Sequence, residues 1–425
     1  MIDIRLVRES PELFKKNLEK RKDKEKQKWL AELIELDVKW RQIKFDLQKV
    51  VHSKNEISKE INQLKKDGKD ISAQLKKLKQ IPETIEVYEV ESNDIKKKID
   101  HMLMRMPNLL HESVPQGDSE TDNVTVNTFG KKPTFSFEPK SHVDLLEQHD
   151  WADIERAGKI SGSRFWFLKG DMAMLDLAIQ KYAVDFMAKR NYTLIQPPFM
   201  MNRAAYEGVT DLGDFESVMY KIEGEDLYLI ATSEHPLTAM YQNETLDVKK
   251  LPIKMIGISS CFRKEAGAHG KDTKGIFRGH QFNKIEQIIL CKPEDSWNFH
   301  EELIKNAIDF FSSLGLCFRQ INICTGDIGT VAAKKYDLEA WMPVQGMFRE
   351  VVSCSNCTDY QARRLNLKYK EGSDSMVMHT LNSTCVATSR ALVAILENFQ
   401  QEDGSVKIPD VLVPYMGGKK VIGKK

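Results

Sequence analysis

The chain has 425 residues, 63 Lys+Arg against 62 Asp+Glu, and a formal net charge of +1. Hydrophobic residues make up 41% and charged residues 29%, a balance that can bury a core and excludes a disordered, collagen-like or disulfide-dense chain. No apolar run approaches the ~18–20 residues of a membrane helix, and charges at Asp3, Arg5, Arg8, Glu9 and Glu12 exclude a secretory h-region over Met1 to Phe14. These features predict a cytoplasmic protein of two to three domains with no membrane partner.

The balanced charge hides an asymmetry. Residues 1–110 carry 26 Lys+Arg against 20 Asp+Glu, and the remainder carries 37 against 42. A basic arm on an acidic body fits a nucleic-acid partner, and equally a solvated helix surface. The seven cysteines all lie at or after Cys261. An odd number with this distribution is not a secreted disulfide framework. Cys354 and Cys357 form a lone CxxC without a second pair at metal spacing, so no zinc is expected.

Residues 30–106 are the most regular stretch. With Leu33, Trp40, Leu47, Lys54 and Ile61 at heptad position a, Leu36, Ile43, Val50, Ile57 and Leu64 fall at d. Only Lys54 breaks this apolar seam. Asp67-Gly68-Lys69-Asp70 ends it with a turn. A second seam follows through Leu78, Ile81, Ile85, Tyr88, Ser92, Ile95, Ile99, Met102 and Met106, with Pro82 predicted to kink or restart its helix. The two helices make an antiparallel coiled-coil hairpin about 50 Å long at 1.5 Å per residue. Such a hairpin serves as a dimer element, a spacer or an RNA-binding arm. Lys65, Lys66, Lys76, Lys77 and Lys79 near its tip favour RNA.

Residues 1–110 are thus an arm, and 111–170, with Pro115, Pro133 and Pro139, a linker leading into a domain over 171–425. There a helix is expected over Leu175–Met187. Two strands, Ile253–Glu265 and His280–Leu290, flank a loop, Ala266–Gly279, that holds four glycines and His269, Lys271, Lys274 and Arg278. An apolar run from Met376 precedes a helix with Leu392, Ile395, Leu396 and Phe399 on its buried face. Hairpin-connected strands with outer helices predict an antiparallel α+β domain. Neither GxGxxG nor GxxxxGK[ST] occurs.

Three stretches place strong polar groups among apolar strand residues. In the first, Arg263 and Glu265 share a strand face at i and i+2, and Arg278, Phe282 and Glu286 follow the loop. An Arg there can grip a phosphate, and Phe282 can face a base. The second runs from Tyr336 to Pro343 and from Glu350 to Cys357, where Glu350 and Ser353 offer oxygens to magnesium. The third is Leu381 to Arg390. Arg390 shares a helix face with Val386, Ala387 and Val393, so a ligand anion or buried carboxylate is expected beside it.

Together these stretches resemble the seryl-tRNA synthetases, a class II aminoacyl-tRNA synthetase family, over nearly the whole chain. The hairpin resembles that family's tRNA-binding arm. Pro198 matches the motif 1 proline of the dimer-forming unit, Arg263 to Glu286 matches motif 2, and Leu381 to Arg390 matches motif 3. Thr232-Ser233-Glu234 matches the serine-binding TxE, and Tyr336–Pro343 with Glu350–Cys357 is specific to the seryl enzymes. That last match accounts for the CxxC without a metal.

The resemblance implies the fold, an ATP-dependent serine–tRNA ligase activity, and site roles. Arg263 and Arg390 are implied as catalytic. Thr232, Ser233, Glu234, Arg263, Glu286, Asn382 and Thr384 are implied for L-serine. Arg263, Lys264, Glu265, Arg278, Gly279, Phe282, Glu350, Val351, Val352, Ser353 and Arg390 are implied for ATP, with Glu350 and Ser353 also for magnesium. Implied partners are tRNA(Ser), with tRNA(Sec) left open, and a second copy in a homodimer whose arm reaches tRNA bound at the other subunit. Motif 3 is glycine-poor here, Asn382 to Ser389, as in archaeal and eukaryotic-cytosolic seryl enzymes, which also share the His269-Gly270-Lys271-Asp272 loop. Two rivals remain: a non-catalytic paralogue that binds RNA or a protein through the hairpin, and an enzyme charging a carrier protein. Usable residues at every matched position argue against the first, and the long arm argues against the second.

Overall fold

The computed structural model describes residues 1–211, 216–265 and 274–423. The chain divides into two compact units, Met1–Met106 and Pro107–Lys425.

In the first unit, α1 (Ile4–Glu9) and α2 (Pro11–Lys20) lead into α3 (Lys24–Lys66), which is antiparallel to α4 (Ser72–Arg105). Both heptad seams form the α3–α4 contact. Every predicted a and d position of α3 is buried or half-buried except Lys54, and Ser92, Ile95, Ile99 and Met102 are buried on α4. Gly68 supplies the left-handed turn at φ 66°, and Asp70 accepts from the Ser72 backbone at 3.0 Å. The 43 residues of α3 span roughly 65 Å at 1.5 Å per residue, longer than the sequence suggested. Pro82 neither ends nor restarts α4, which runs through it. Asp37 is a further departure from the heptad. It is buried, and pairs with Arg8 at 2.7 Å and Arg41 at 3.0 Å, tying the first helix to the hairpin.

The second unit is built on an eight-stranded sheet. In chain order its strands are β1 (Val124–Phe129), β2 (Thr193–Ile195), β3 (Ile253–Phe262), β4 (Gln281–Cys291), β5 (Phe318–Asn322), β6 (Lys334–Met342), β7 (Met347–Asn356) and β8 (His379–Ala387). Across the sheet the order is β1-β5-β6-β7-β8-β4-β3-β2. All pairs are antiparallel except β2 with β3. The stretch 111–170, expected as a linker, supplies β1 at the sheet edge, pairing Val124 with Asn322 through Phe129 with Phe318.

Three helices, α5 (Gly170–Ala188), α6 (Ser296–Ser313) and α7 (Thr388–Phe399), pack into the main core. Strand alternation fixes what each strand face does. On β4, Ile285, Ile289 and Cys291 enter the main core, while Ile288 and Leu290 enter a smaller cluster around Tyr206 and Tyr228. Further along that second face stand Glu286, Lys284 and Phe282. The predicted helix face of Leu392, Ile395 and Leu396 is buried in the main core. Its helix begins at Thr388, however, so Val386 and Ala387 belong to β8 rather than to a helix face with Arg390.

Candidate active site

A cavity of ≈ 540 Å³ opens over the middle of the sheet. Period-two alternation on β4 sends Phe282, Lys284 and Glu286 into it. From β8 come Asn382 and Thr384, with Thr384 directly opposite Glu286 in the register. The β8 pairing then skips Cys385, a bulge that turns the chain into α7 and leaves Arg390 in the helix's first turn. A matching bulge on β7 skips Val351 between Val352 and Glu350. Glu350 and Val351 therefore both reach the cavity, where strict alternation would admit one; Ser353 and Ser355 continue along the strand, and Cys357 follows just past its end. Arg263, just past the end of β3, completes the near wall.

The two ends of the cavity differ in chemistry. One end is rich in carboxylates. Glu234 Oε1 accepts from Asn382 Nδ2 at 3.1 Å and from Gln361 Nε2 at 3.2 Å. Burial, with Glu286 adding, pushes the Glu234 carboxyl up to about 7. Glu286 Oε2 pairs with Lys284 Nζ at 2.6 Å and accepts from Thr384 Oγ1 at 3.4 Å. His235, on the same wall, is pushed down to about 3 by burial, with Lys284 and Arg263 adding, and is neutral.

The other end is cationic. Arg390 Nη1 donates to Glu350 Oε1 at 3.1 Å and to the Glu350 backbone oxygen at 3.0 Å. A carboxylate does stand beside Arg390, but it is half-exposed rather than the buried one expected. Partial burial pushes the Glu350 carboxyl up, but Arg390, Lys335 and Arg263 outweigh it and hold the group below the ordinary carboxylate range. The Arg390 and Arg349 guanidinium groups lie over the Phe277 ring at 5.5 and 4.5 Å. Arg263 Nε is held by the Ala231 carbonyl at 3.1 Å, and its guanidinium lies 5.4 Å from the Phe282 ring.

Not every expected site residue faces this cavity. Thr232 and Ser233 are buried behind its wall. Thr232 Oγ1 accepts from the Glu234 backbone at 3.1 Å, and Ser233 Oγ donates to the Gly257 carbonyl at 3.3 Å, so both hold Glu234 in place. Val352 points into the main core. Lys264 turns toward Tyr220, 5.8 Å from the ring. Arg263 and Glu265 do not share a strand face, because β3 stops at Phe262 and Glu265 takes a left-handed φ of 50°. Glu265 pairs instead with Arg278 at 2.8 Å, across the two limbs of the basic loop. Gly279 lies flush against Trp166. Residues 266–273 of that loop, His269 and Lys271 among them, lie outside the described residues.

Lys284 and Lys335 were not singled out from the sequence, although both line the cavity. Lys284 was signalled by its place between Phe282 and Glu286 in the alternation. Lys335 immediately precedes the Tyr336 run and carried no such cue. Cys354 is buried near His300 while Cys357 faces the cavity beside Asn382. Among the described residues no group of three or more His, Cys, Asp or Glu is arranged to hold a metal.

Comparison with known proteins gives the family of the chain. Residues 1–110 match the seryl-tRNA synthetase N-terminal domain family, and residues 218–399 match the tRNA synthetase class II core domain (G, H, P, S and T). The serine–tRNA ligase of Methanocella arvoryzae is 55% identical over 421 residues, covering 98% of this chain and 99% of that one. The chain belongs to the seryl-tRNA synthetases. The crystal structure of the family member from Pyrococcus horikoshii, complexed with ATP, superposes with a TM-score of 0.96 at 49% identity, covering 99% of both chains. That of the cytoplasmic serine–tRNA ligase of Naegleria fowleri, in complex with AMP, superposes at 0.90 with 38% identity, covering 99% of this chain and 98% of that one. The α+β fold with a helical hairpin, read from the sequence, is the fold of this family.

Proposed function

We propose that the sheet cavity is where this serine–tRNA ligase builds seryl-adenylate. The observation that carries the assignment is the meeting, in one cavity, of a carboxylate-rich end and a cationic end, with Arg263 and Phe282 between them. An amino acid has an ammonium to place against carboxylates. ATP has a base to stack and phosphates to neutralise.

In the first step the serine carboxylate attacks the α-phosphorus in line, and pyrophosphate leaves with the bonding electrons. In the second, the tRNA 3′-terminal hydroxyl attacks the acyl carbon and AMP departs. Both steps need positioning and charge neutralisation more than a protein nucleophile. Arg263 bridges the α-phosphate and the serine carboxylate. Arg390, braced by Glu350 and Phe277, and Arg278, held by Glu265, serve the outer phosphates. Phe282 stacks on the adenine, and Glu265 with Lys264 and Gly279 shapes the base's edge. Glu234, placed by Thr232 and Ser233, takes the serine ammonium, and Glu286 with Thr384 and Asn382 reads the hydroxyl. Val351 and Val352 set the course of the strand that carries Glu350.

Glu350 and Ser353 fit a magnesium ion arriving with ATP, because Glu350 is held ionised and both offer hard oxygens. Bound there, magnesium would neutralise phosphate charge. The arm takes tRNA(Ser), with tRNA(Sec) a second acceptor for assay. A homodimer is supported by Met174 and Leu177 on α5, which are 49% and 58% exposed. No helix among the described residues is long and apolar enough to cross a membrane, and a cytoplasmic location fits the family. The deciding experiment is ATP–pyrophosphate exchange with each of the twenty amino acids. Exchange with serine alone is expected; none with any amino acid would overturn the reading.

A further inference from the structure

Two non-glycine residues at the base of the basic loop hold left-handed backbone, Arg164 at φ 59° and Glu265 at φ 50°. Such residues persist only where their surroundings compel them. These two touch, with Arg164 Nη1 donating to the Glu265 carbonyl at 3.3 Å. The same short segment grips the other limb of the basic loop. The His280 backbone N–H donates to the Arg164 carbonyl at 3.1 Å, and the Phe165 and His280 rings lie 5.3 Å apart. A Cβ on Gly279 would fall 2.2 Å from the Trp166 ring and 3.1 Å from the Arg164 oxygen, so the loop limb lies directly against the segment. Phe165, Trp166 and Phe282 also share the lining of a second cavity of ≈ 200 Å³. The segment thus stands behind the proposed adenine platform as well.

Within the loop base, the limbs are joined by Arg263 N–H to the His280 carbonyl at 2.9 Å and by the Glu265–Arg278 pair. These contacts set the spacing of Arg263, Glu265 and Arg278. The limbs also meet the unit at Val218, whose carbonyl accepts from the Lys264 N–H at 2.8 Å, and at Tyr220, whose ring lies 5.8 Å from Lys264 Nζ and 6.2 Å from the His280 ring; Arg164 adds a hydrogen bond to each limb, from its side chain to one and from its backbone to the other.

We infer that Arg164 is a positioning residue for ATP: with Trp166 it clamps both limbs of the loop so that Arg263, Arg278 and Phe282 meet the nucleotide in register. This rests on the adenylation reading above. Arg164 acts through the loop and touches no substrate.

The test compares Arg164→Ala, Arg164→Gly and Arg164→Lys in the full chain. ATP affinity is measured by calorimetry without serine, and KM for ATP and for serine by exchange. Glycine relieves the left-handed backbone, so a purely conformational role would leave Arg164→Gly with wild-type ATP affinity, and that result would overturn the inference. The expected result is an ATP affinity weakened about five- to tenfold in the Ala and Gly variants, the worth of the one side-chain hydrogen bond they remove. Serine KM should stay unchanged, with Lys intermediate. Loss of turnover with both KM values at wild type would show a fraction of misfolded enzyme and would also overturn it. Should the Ala and Gly variants fail to fold, Lys decides, since unchanged ATP affinity there refutes the clamp. The calorimetric arm stands whichever amino acid is activated, so failure of the serine reading is told apart by exchange with the unaltered enzyme.

Discussion

Lys284 and Glu286 form a buried pair at 2.6 Å, with 7% and 2% of their side chains exposed. Such a pair contributes little net stability, but breaking it leaves an uncompensated charge. Glu286→Gln should therefore do two things. It removes a charge-assisted acceptor from the serine hydroxyl, costing about 1.5–3 kcal/mol in serine activation, and it lowers thermal stability by stranding Lys284. Adding Lys284→Met should recover stability without restoring discrimination against alanine, which is measured as the ratio of kcat/KM values. If the double variant rejects alanine as the wild type does, the hydroxyl is read elsewhere. Glu234 supplies a pH signature. Its carboxyl stands at about 7 in the folded enzyme against an ordinary 4.5, so between those values the folded state binds more protons than the unfolded. The free enzyme's stability should fall as pH rises through that window. Serine binding, which needs the ionised carboxylate, should show the opposite trend, with KM rising as pH drops below about 7. A serine KM flat between about pH 5.5 and 8.5, or a slope that survives Glu234→Gln, would remove Glu234 from the ammonium site.

The elements were legible where one physical rule governed them. Heptad periodicity located both long helices of the arm, because one stripe of apolar residues has one partner. Alternation located β3 and β4 and put Phe282 and Glu286 on a common face. Illegible features came from contacts distant in sequence. The bulges at Val351 and Cys385 depend on pairing with β6 and β4, and they decide that Glu350 and Val351 share the cavity wall. The turn at Glu265 is illegible because an i, i+2 spacing says nothing of where a strand stops. The edge strand β1 was hidden in a proline-containing stretch whose pattern shows no burial, for most of its residues are exposed. The boundary of the arm has a practical consequence. Asn108 is 4% exposed and its side chain donates to the carbonyls of Val331 and Cys357 at 2.9 Å, which roots residues 107–110 in the second unit. Truncation after Met106 should leave serine-dependent exchange within about twofold of wild type and abolish tRNA charging, whereas truncation after Leu110 should also lower the melting temperature, as loss of buried hydrogen bonds does. Near-normal charging by the shorter cut would reduce the arm to a spacer.

At the scale of the whole molecule, the charge asymmetry separates two kinds of electrostatics. In the catalytic unit the charges that matter are paired: Arg390 with a Glu350 that is half open to solvent and, sheltered, Lys284 with Glu286 and Arg278 with Glu265. Salt screens sheltered pairs weakly. In the arm, Lys65, Lys66, Lys76, Lys77 and Lys79 all stand exposed near the α3–α4 turn. Exposed lysines that neutralise phosphates release counterions, and log K then falls by about 0.7–0.9 per neutralised phosphate for each decade of salt. The two activities of one enzyme should thus separate on a salt titration. tRNA affinity should fall steeply, while KM for ATP and serine in the exchange reaction should move little. Replacing Lys76 and Lys77 together with Gln should flatten the slope by about one to two phosphate equivalents and leave exchange untouched, because neither side chain lines the cavity. An unchanged slope in that variant, with tRNA binding still salt-sensitive, would move the RNA contact away from the tip. A salt-independent affinity in the unaltered enzyme would refute an electrostatic arm altogether.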